Sequence, residues 1–145
     1  MSAEFFLDTN ILVYTFDLDD PEKRNRARDL VETGLSSNKG AISYQVVQEF
    51  LNVAIRKFQT PMTSEVANEY LHLVLEPLCT VFPSISLYER ALSLAERWRY
   101  GFYDSLIIAS ALEAECSILY SEDLHAGQKL ESLTILNPFN TSTVG

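Results

Sequence analysis

The strongest constraint on this chain is an alternation. Apolar runs of two or three residues recur between longer stretches with helical periodicity. Phe5-Phe6-Leu7, Ala41-Ile42, Thr80-Val81-Phe82, Ile118-Leu119-Tyr120 and Thr134-Ile135-Leu136 predict strands. Their brevity and lack of polar alternation suit strands buried on both faces. Pro21, a good first helical residue, opens a helix over residues 21–33. Val47, Phe50, Leu51, Ala54 and Phe58 define the buried face of a second helix, from about Tyr44 to Phe58. Val66, Tyr70, Leu73 and Val74 mark a third. Leu87, Ala91, Leu94, Ala95 and Trp98 mark a fourth, with Ser86 and Glu89 as its capping box. Residues 105–114 are apolar almost all round and predict a helix buried against a sheet.

Strands that alternate with helices imply right-handed crossovers and a mostly parallel sheet. The expected fold class is therefore α/β, with a central sheet of about five short strands between helices in three layers, α/β/α. A length of 145 residues suits one domain. That domain is expected over residues 1–140, with 141–145 a frayed tail.

Several classes are excluded. No basic stretch precedes an apolar run at the N-terminus, so no secretory leader is expected. The longest apolar region, Leu106 to Leu119, is broken by Glu113 and Glu115 and is too short to span a bilayer. Cys79 and Cys116 form neither a disulfide framework nor a metal-binding repeat, and read as buried small hydrophobes. A cytoplasmic location is the expectation. Trp98, Tyr100, Phe102 and Tyr103 could form an interface, although such residues more often belong to a core.

Ligand sites in such sheets lie beyond the carboxyl ends of the strands. Three acids stand there. Asp8 directly follows the first predicted strand, Asp123 comes three residues after Tyr120, and Asp104 opens the buried helix. Each also fits a plain helix cap, since Asp satisfies free N–H groups and meets the positive end of the helix dipole. Their joint placement at one sheet edge points to a site. Periodicity assigns Glu49 instead to a solvated face with Gln45, Asn52 and Arg56, with Arg56 as a natural partner.

Phe6-Leu7-Asp8-Thr9-Asn10 resembles the opening motif of PIN domains, and Ser43 through Glu49 resembles their second, in which a helix delivers a Glu. Tyr103-Asp104-Ser105-Leu106-Ile107-Ile108-Ala109-Ser110-Ala111 is similar to the third. Ser121-Glu122-Asp123-Leu124, leading to Asn137-Pro138-Phe139, is similar to the fourth and the closing strand. The resemblance is closest to the VapC-like toxins of toxin–antitoxin pairs, and it covers nearly the whole chain in order.

That resemblance implies an endoribonuclease with an acidic catalytic site of Asp8, Glu49, Asp104 and Asp123, supported by Asn10 and Ser121. It implies Mg²⁺, with Mn²⁺ able to substitute, held by Asp8, Asp104 and Asp123. Glu49 would ligate or position the water. It further implies an RNA substrate, a cognate antitoxin with a basic segment, and a homodimer. Ser121 stands where the family more often has Thr. Glu122 precedes the last Asp where the family often has an acid following it, which leaves one metal or two open. The alternative is a catalytically inactive PIN-like module that binds RNA or protein.

Net charge sharpens the problem. The chain carries −9, whereas affinity for a polyanion comes mostly from Lys and Arg at phosphates. Lys23, Arg24, Arg26 and Arg28 gather on one helix and are the candidates for RNA contacts. Taken alone, they fit better as a solvated face balanced by Asp29 and Glu32.

Overall fold

The computed structural model describes residues 3–140; the tail at 141–145 lies outside the described residues. Its centre is a six-stranded sheet in the order β3-β2-β1-β4-β6-β5. The strands are β1 (Phe5–Leu7), β2 (Gly40–Ser43), β3 (Cys79–Val81), β4 (Ile118–Tyr120), β5 (Lys129–Leu130) and β6 (Leu133–Leu136). All neighbours are parallel except β5, which returns antiparallel to β6. The five expected strands are present. The sixth, β5, is two residues long and has too little sequence to carry a pattern.

β1 and β2 are buried throughout, as strands covered on both faces should be, and in β4 the middle residue, Leu119, is fully buried. At the edge, β3 ends one residue earlier than expected, and Phe82 is left exposed beyond it.

The helices are α1 (Thr9–Tyr14), α2 (Pro21–Ser37), α3 (Tyr44–Arg56), α4 (Ser64–Tyr70), α5 (Glu76–Leu78), α6 (Ile85–Trp98) and α7 (Phe102–Glu113). From β1 the chain moves outward through β2 to β3, then returns to place β4 on the other side of β1. With right-handed crossovers, α1–α5 cover one face and α6 and α7 the other. The packing agrees: α1 lies against α2 and α3, and α6 lies against α7, which crosses β2 and β4. Residues Ser105–Leu112 of α7 are buried without interruption, as the sequence predicts.

Three local details depart from expectation. Ser84, not Ser86, caps α6 by accepting from the Leu87 N–H at 3.0 Å. In α3 the fully buried residues are Val46, Phe50 and Ala54, so the core face is rotated toward Val46, while Val47, Leu51 and Phe58 are only half-buried. The third helix is interrupted by a π-helical turn over Leu71–Leu75. Pro77 has no N–H and its ring crowds the preceding turn, so a regular helix cannot run through it. The chain widens, and the Glu76 N–H reaches back to the Leu71 carbonyl. The extra residue changes the phase. Leu73 faces solvent and Leu75 takes the buried position; ahead of the turn, in α4, Val66 is exposed and Ala67 buried.

Cys116 is buried and its thiol is pushed up to about 12 by desolvation, as an inert core residue should be. Cys79 is half-buried. Among the described residues no helix is long and apolar enough to cross a membrane.

Candidate active site

The reversal of strand order falls between β1 and β4, and the crevice beyond their carboxyl ends is where an α/β sheet presents its ligand site. Asp8 leaves β1 in extended conformation and caps α1, its Oδ1 accepting from the Thr9 N–H at 2.7 Å. Its Oδ2 accepts from the Ser121 hydroxyl, also at 2.7 Å, across the gap to β4. Ser121 is fully buried, and its Oγ accepts in turn from the backbone N–H groups of Asp123 (3.2 Å) and Leu124 (3.3 Å). The capping role is therefore real for Asp8, but it occupies only one carboxylate oxygen. The serine hydroxyl stands in for that of the more usual threonine.

Asp8 is 8% exposed, and burial is the main reason its carboxyl is pushed up to about 6. The Ser121 and Thr9 hydrogen bonds oppose the rise, and the charges of Glu49 and Asp123 add to it.

Glu49 is not a free surface carboxylate. Its Oε1 accepts from the Thr9 hydroxyl at 2.6 Å and its Oε2 from the Gln45 amide at 3.2 Å. The expected pairing with Arg56 is absent among the described residues, because the rotation of α3 turns Glu49 toward α1. Asp104 sits in the first turn of α7, which starts at Phe102 under an N-cap of Gly101. It is thus not the cap that its sequence position suggested. Its carboxyl is raised by partial desolvation first, then by the charges of Asp123 and Glu49.

Asp8, Glu49, Asp104 and Asp123 line one open cavity of about 520 Å³. Asn10 joins them, and its Oδ1 is buried without a hydrogen-bond partner. No Lys, Arg or His is among the lining residues. Sequence reasoning missed Thr9, Tyr14 and Tyr103, which also line it, and it read Gln45 as a solvated residue. Only Thr9 had a signal, as the hydroxyl between Asp8 and Asn10.

The basic residues stand apart from this cavity. The Lys23 ammonium pairs with Glu122 at 2.6 Å and lies over the rings of Tyr14 and Phe139. Arg24 donates to the Asp17 carbonyl, Arg28 to the Thr15 carbonyl at 2.8 Å, and Arg26 to the Pro138 carbonyl. Glu122 belongs to this group rather than to the acids: besides Lys23, it accepts from the Tyr14 hydroxyl. Burial works against its charge, but Lys23 and Tyr14 outweigh that and hold its carboxyl below the usual value. His125 is exposed, with its ring set edge-on to Tyr100, and does not line the cavity.

The donor set is entirely oxygen, which is the chemistry of hard divalent cations. Among the described residues, no three Asp, Glu, His or Cys side chains are gathered closely enough to hold an ion by themselves. Mg²⁺ commonly takes one or two carboxylates and keeps several waters, so this pocket fits such an ion without a three-ligand cage.

The fold has relatives among solved structures. A toxin–antitoxin complex from Klebsiella pneumoniae is 18% identical over 93% of this chain and 98% of that chain, with a TM-score of 0.67. FitAcB from Neisseria gonorrhoeae is 17% identical over 94% and 99%, with a TM-score of 0.64. VapC20 from Mycobacterium tuberculosis, a sarcin–ricin loop cleaving toxin, is 18% identical over 83% and 90%, with a TM-score of 0.59. At these identities the likeness is one of fold. No curated protein sequence matches the chain. The PIN-domain family model matches residues 5–128. That span begins on the strand that delivers Asp8 and runs past the turn that carries Ser121 and Asp123, so all four acids fall within it, and the chain belongs to the PIN-domain family.

Proposed function

We propose that this protein is a divalent-metal-dependent endoribonuclease, the toxin of a toxin–antitoxin pair, that hydrolyses RNA phosphodiester bonds at the carboxylate pocket. The observation that carries this reading is the convergence of Asp8, Glu49, Asp104 and Asp123 on one cavity with no cation among its walls. Clustered carboxylates repel one another and are costly as structure, so a cation seat explains them best. Membership of the PIN family, and the description of one fold relative as a toxin that cleaves the sarcin–ricin loop, support the choice of RNA.

Each residue has a part. Asp8 and Asp104 would hold Mg²⁺, or Mn²⁺ in its place, with Asp123 bound directly or through water. A bound divalent ion lowers the pKa of its water and neutralises charge developing at the phosphate. Ser121 fixes Asp8 Oδ2 at 2.7 Å and so sets the carboxylate plane. Thr9 and Gln45 each hold one oxygen of Glu49, which leaves their remaining lone pairs to orient a water in the cavity. The sheet edge keeps this constellation rigid.

A cognate antitoxin with a basic segment suits a −9 protein electrostatically, and the Klebsiella relative was solved in a toxin–antitoxin complex. A homodimer and a cytoplasmic location belong to the same reading. A second reading, an inactive PIN-like module that binds RNA or protein, draws support from the absence of a three-acid metal group among the described residues.

The deciding experiment is cleavage of mixed cellular RNA by purified protein with Mg²⁺, with Mn²⁺ and with EDTA, alongside Asp8→Asn. Metal-dependent cleavage that is lost in the variant is the expected outcome. Full activity of Asp8→Asn would remove the site assignment. No cleavage together with no Mn²⁺ binding would favour the inactive module.

A further inference from the structure

The acids of the cavity are not all held alike. Asp8 and Glu49 each have both carboxylate oxygens in hydrogen bonds. Asp123 is exposed, and among the described residues its carboxylate accepts none. Its place in the cavity is therefore set by the turn that carries it. Ser121 and Leu124 anchor the two ends of that turn in the core. Between them stand Glu122 and Asp123, and of these two only Glu122 finds side-chain partners. The Tyr14 hydroxyl donates to its Oε1, and the Lys23 ammonium donates to its Oε2 at 2.6 Å. The ammonium also lies 4.7 Å from the centre of the Tyr14 ring and 5.4 Å from that of Phe139, and these rings meet edge-to-face at 5.0 Å. The turn is thus fastened to both ends of α1. Ser121 holds Asp8 at its start, and Glu122 holds Tyr14 at its close. Glu122 itself does not line the cavity, and both its oxygens are engaged outside it.

We propose that Glu122, clamped by Lys23 and Tyr14, is a positioning residue that holds Asp123 at the cation seat. The inference rests on the metal-dependent reading above. It gives the acid that precedes Asp123 a role other than ligand, and gives Lys23 a role other than RNA contact. The effect is one of geometry more than of stability. Part-exposed ion pairs add little to folding, whereas groups that orient a metal ligand from behind change metal affinity by about ten- to a hundredfold when removed. Charge and position predict opposite signs at Lys23. Removing a cation near the seat strengthens Mn²⁺ binding if only its field matters, and weakens that binding if the clamp sets Asp123.

The test is calorimetric titration of the full chain with Mn²⁺ at pH 7.5. Lys23→Met keeps an apolar stem over both rings and is expected to bind Mn²⁺ about tenfold more weakly than wild type. Glu122→Ala should lose a similar amount, and the double variant no more than either, because the pair acts as one unit. Glu122→Gln can still accept from Lys23 and bond to Tyr14, so it should keep most of the affinity that Glu122→Ala loses. Both side chains are part-exposed, so the fold should survive these changes, and circular dichroism checks that. Lys23→Met that binds Mn²⁺ as tightly as wild type, or more tightly, overturns the clamp. So does Glu122→Gln that falls as far as Glu122→Ala, which would make Glu122 a ligand, and so do losses that sum in the double variant. The two readings fail separately. Wild-type protein that binds no Mn²⁺ loses the metal centre, and the clamp loses its purpose with it. Wild-type protein that binds Mn²⁺, with Lys23→Met equal to it, keeps the metal centre and loses only the clamp.

Discussion

Asp8 illustrates how one residue serves fold and chemistry at the same time. Its cap on α1 and its bond to Ser121 stabilise the local structure, but burial beside Glu49 and Asp123 makes its negative charge expensive. The carboxyl titrates at about 6 in the folded protein, against 3.8 for an unperturbed aspartate such as an unfolded chain would present. Between those values the folded state binds more protons than the unfolded one, so stability from this group falls as pH rises and then levels off above about 6. The penalty is about 3 kcal/mol by the usual conversion of a pKa shift. Asp8→Asn keeps an acceptor for the Thr9 N–H and removes the charge. It is therefore expected to raise the thermal midpoint by several degrees at pH 7.5 without divalent cations, and by little or nothing at pH 4. Scanning calorimetry at the two pH values checks this, and an equal effect at both would mean that the charge is not what costs stability. Ser121 gives the opposite case. Ser121→Ala leaves the buried N–H of Leu124 and the part-buried N–H of Asp123 without an acceptor and is expected to cost about 2 kcal/mol in urea unfolding. A loss below a few tenths would mean that water replaces the hydroxyl.

Elements explain why some of this was legible in the sequence and some was not. The strands β1 and β2 were plain because burial on both faces leaves almost only small or apolar residues, and β4 and β6, buried at alternate positions, still carry short apolar runs. Asp8 and Asp123 followed from those strands, since their ends define the site. Glu49 could not be found by periodicity, because the wall of a water-filled pocket and a solvated helix face select the same polar residues. Only the resemblance placed it. The phase error at Leu73 has a different origin: a π-turn inserts a residue that a strict helical period does not count, and Pro77 was its one visible warning. The basic stretch of α2 was read as a solvated face or an RNA contact, and the structure adds a third use. Arg24 and Arg28 satisfy carbonyls at and beyond the end of α1. Arg28→Ala is accordingly expected to cost about 1 kcal/mol in urea unfolding, while Arg26→Ala, with a long and exposed contact, changes little. Removing Arg24, Arg26 and Arg28 together should also weaken RNA binding and flatten its dependence on salt. An unchanged salt slope would confine these arginines to holding α1 and the C-terminal segment in place.

For the whole molecule the question is how a −9 protein approaches a polyanion. Four of its acids share one cavity from which every basic side chain is missing, so the local repulsion is more severe there than net charge suggests. A divalent cation inverts that local charge, and its binding must appear as stability, because the unfolded chain scatters the four acids and offers no comparable site. The gain follows RT ln(1 + [L]/Kd), about 2.7 kcal/mol when the ion is present at a hundred times its Kd. Adding Mn²⁺ or Mg²⁺ at pH 7.5 is therefore expected to raise the thermal midpoint by several degrees, and EDTA to reverse it. Sodium chloride at matched ionic strength screens the repulsion without occupying the site and should give a smaller rise. The cation effect should shrink at pH 5, where Asp8 keeps its proton, because ion and proton compete for the same oxygens. It should also shrink in Asp8→Asn at pH 7.5, which already lacks the charge that the ion would neutralise. If Mn²⁺ and sodium chloride act alike at equal ionic strength, the carboxylates gain only screening, and the pocket is better read as the seat of a basic segment from a partner than as a metal centre.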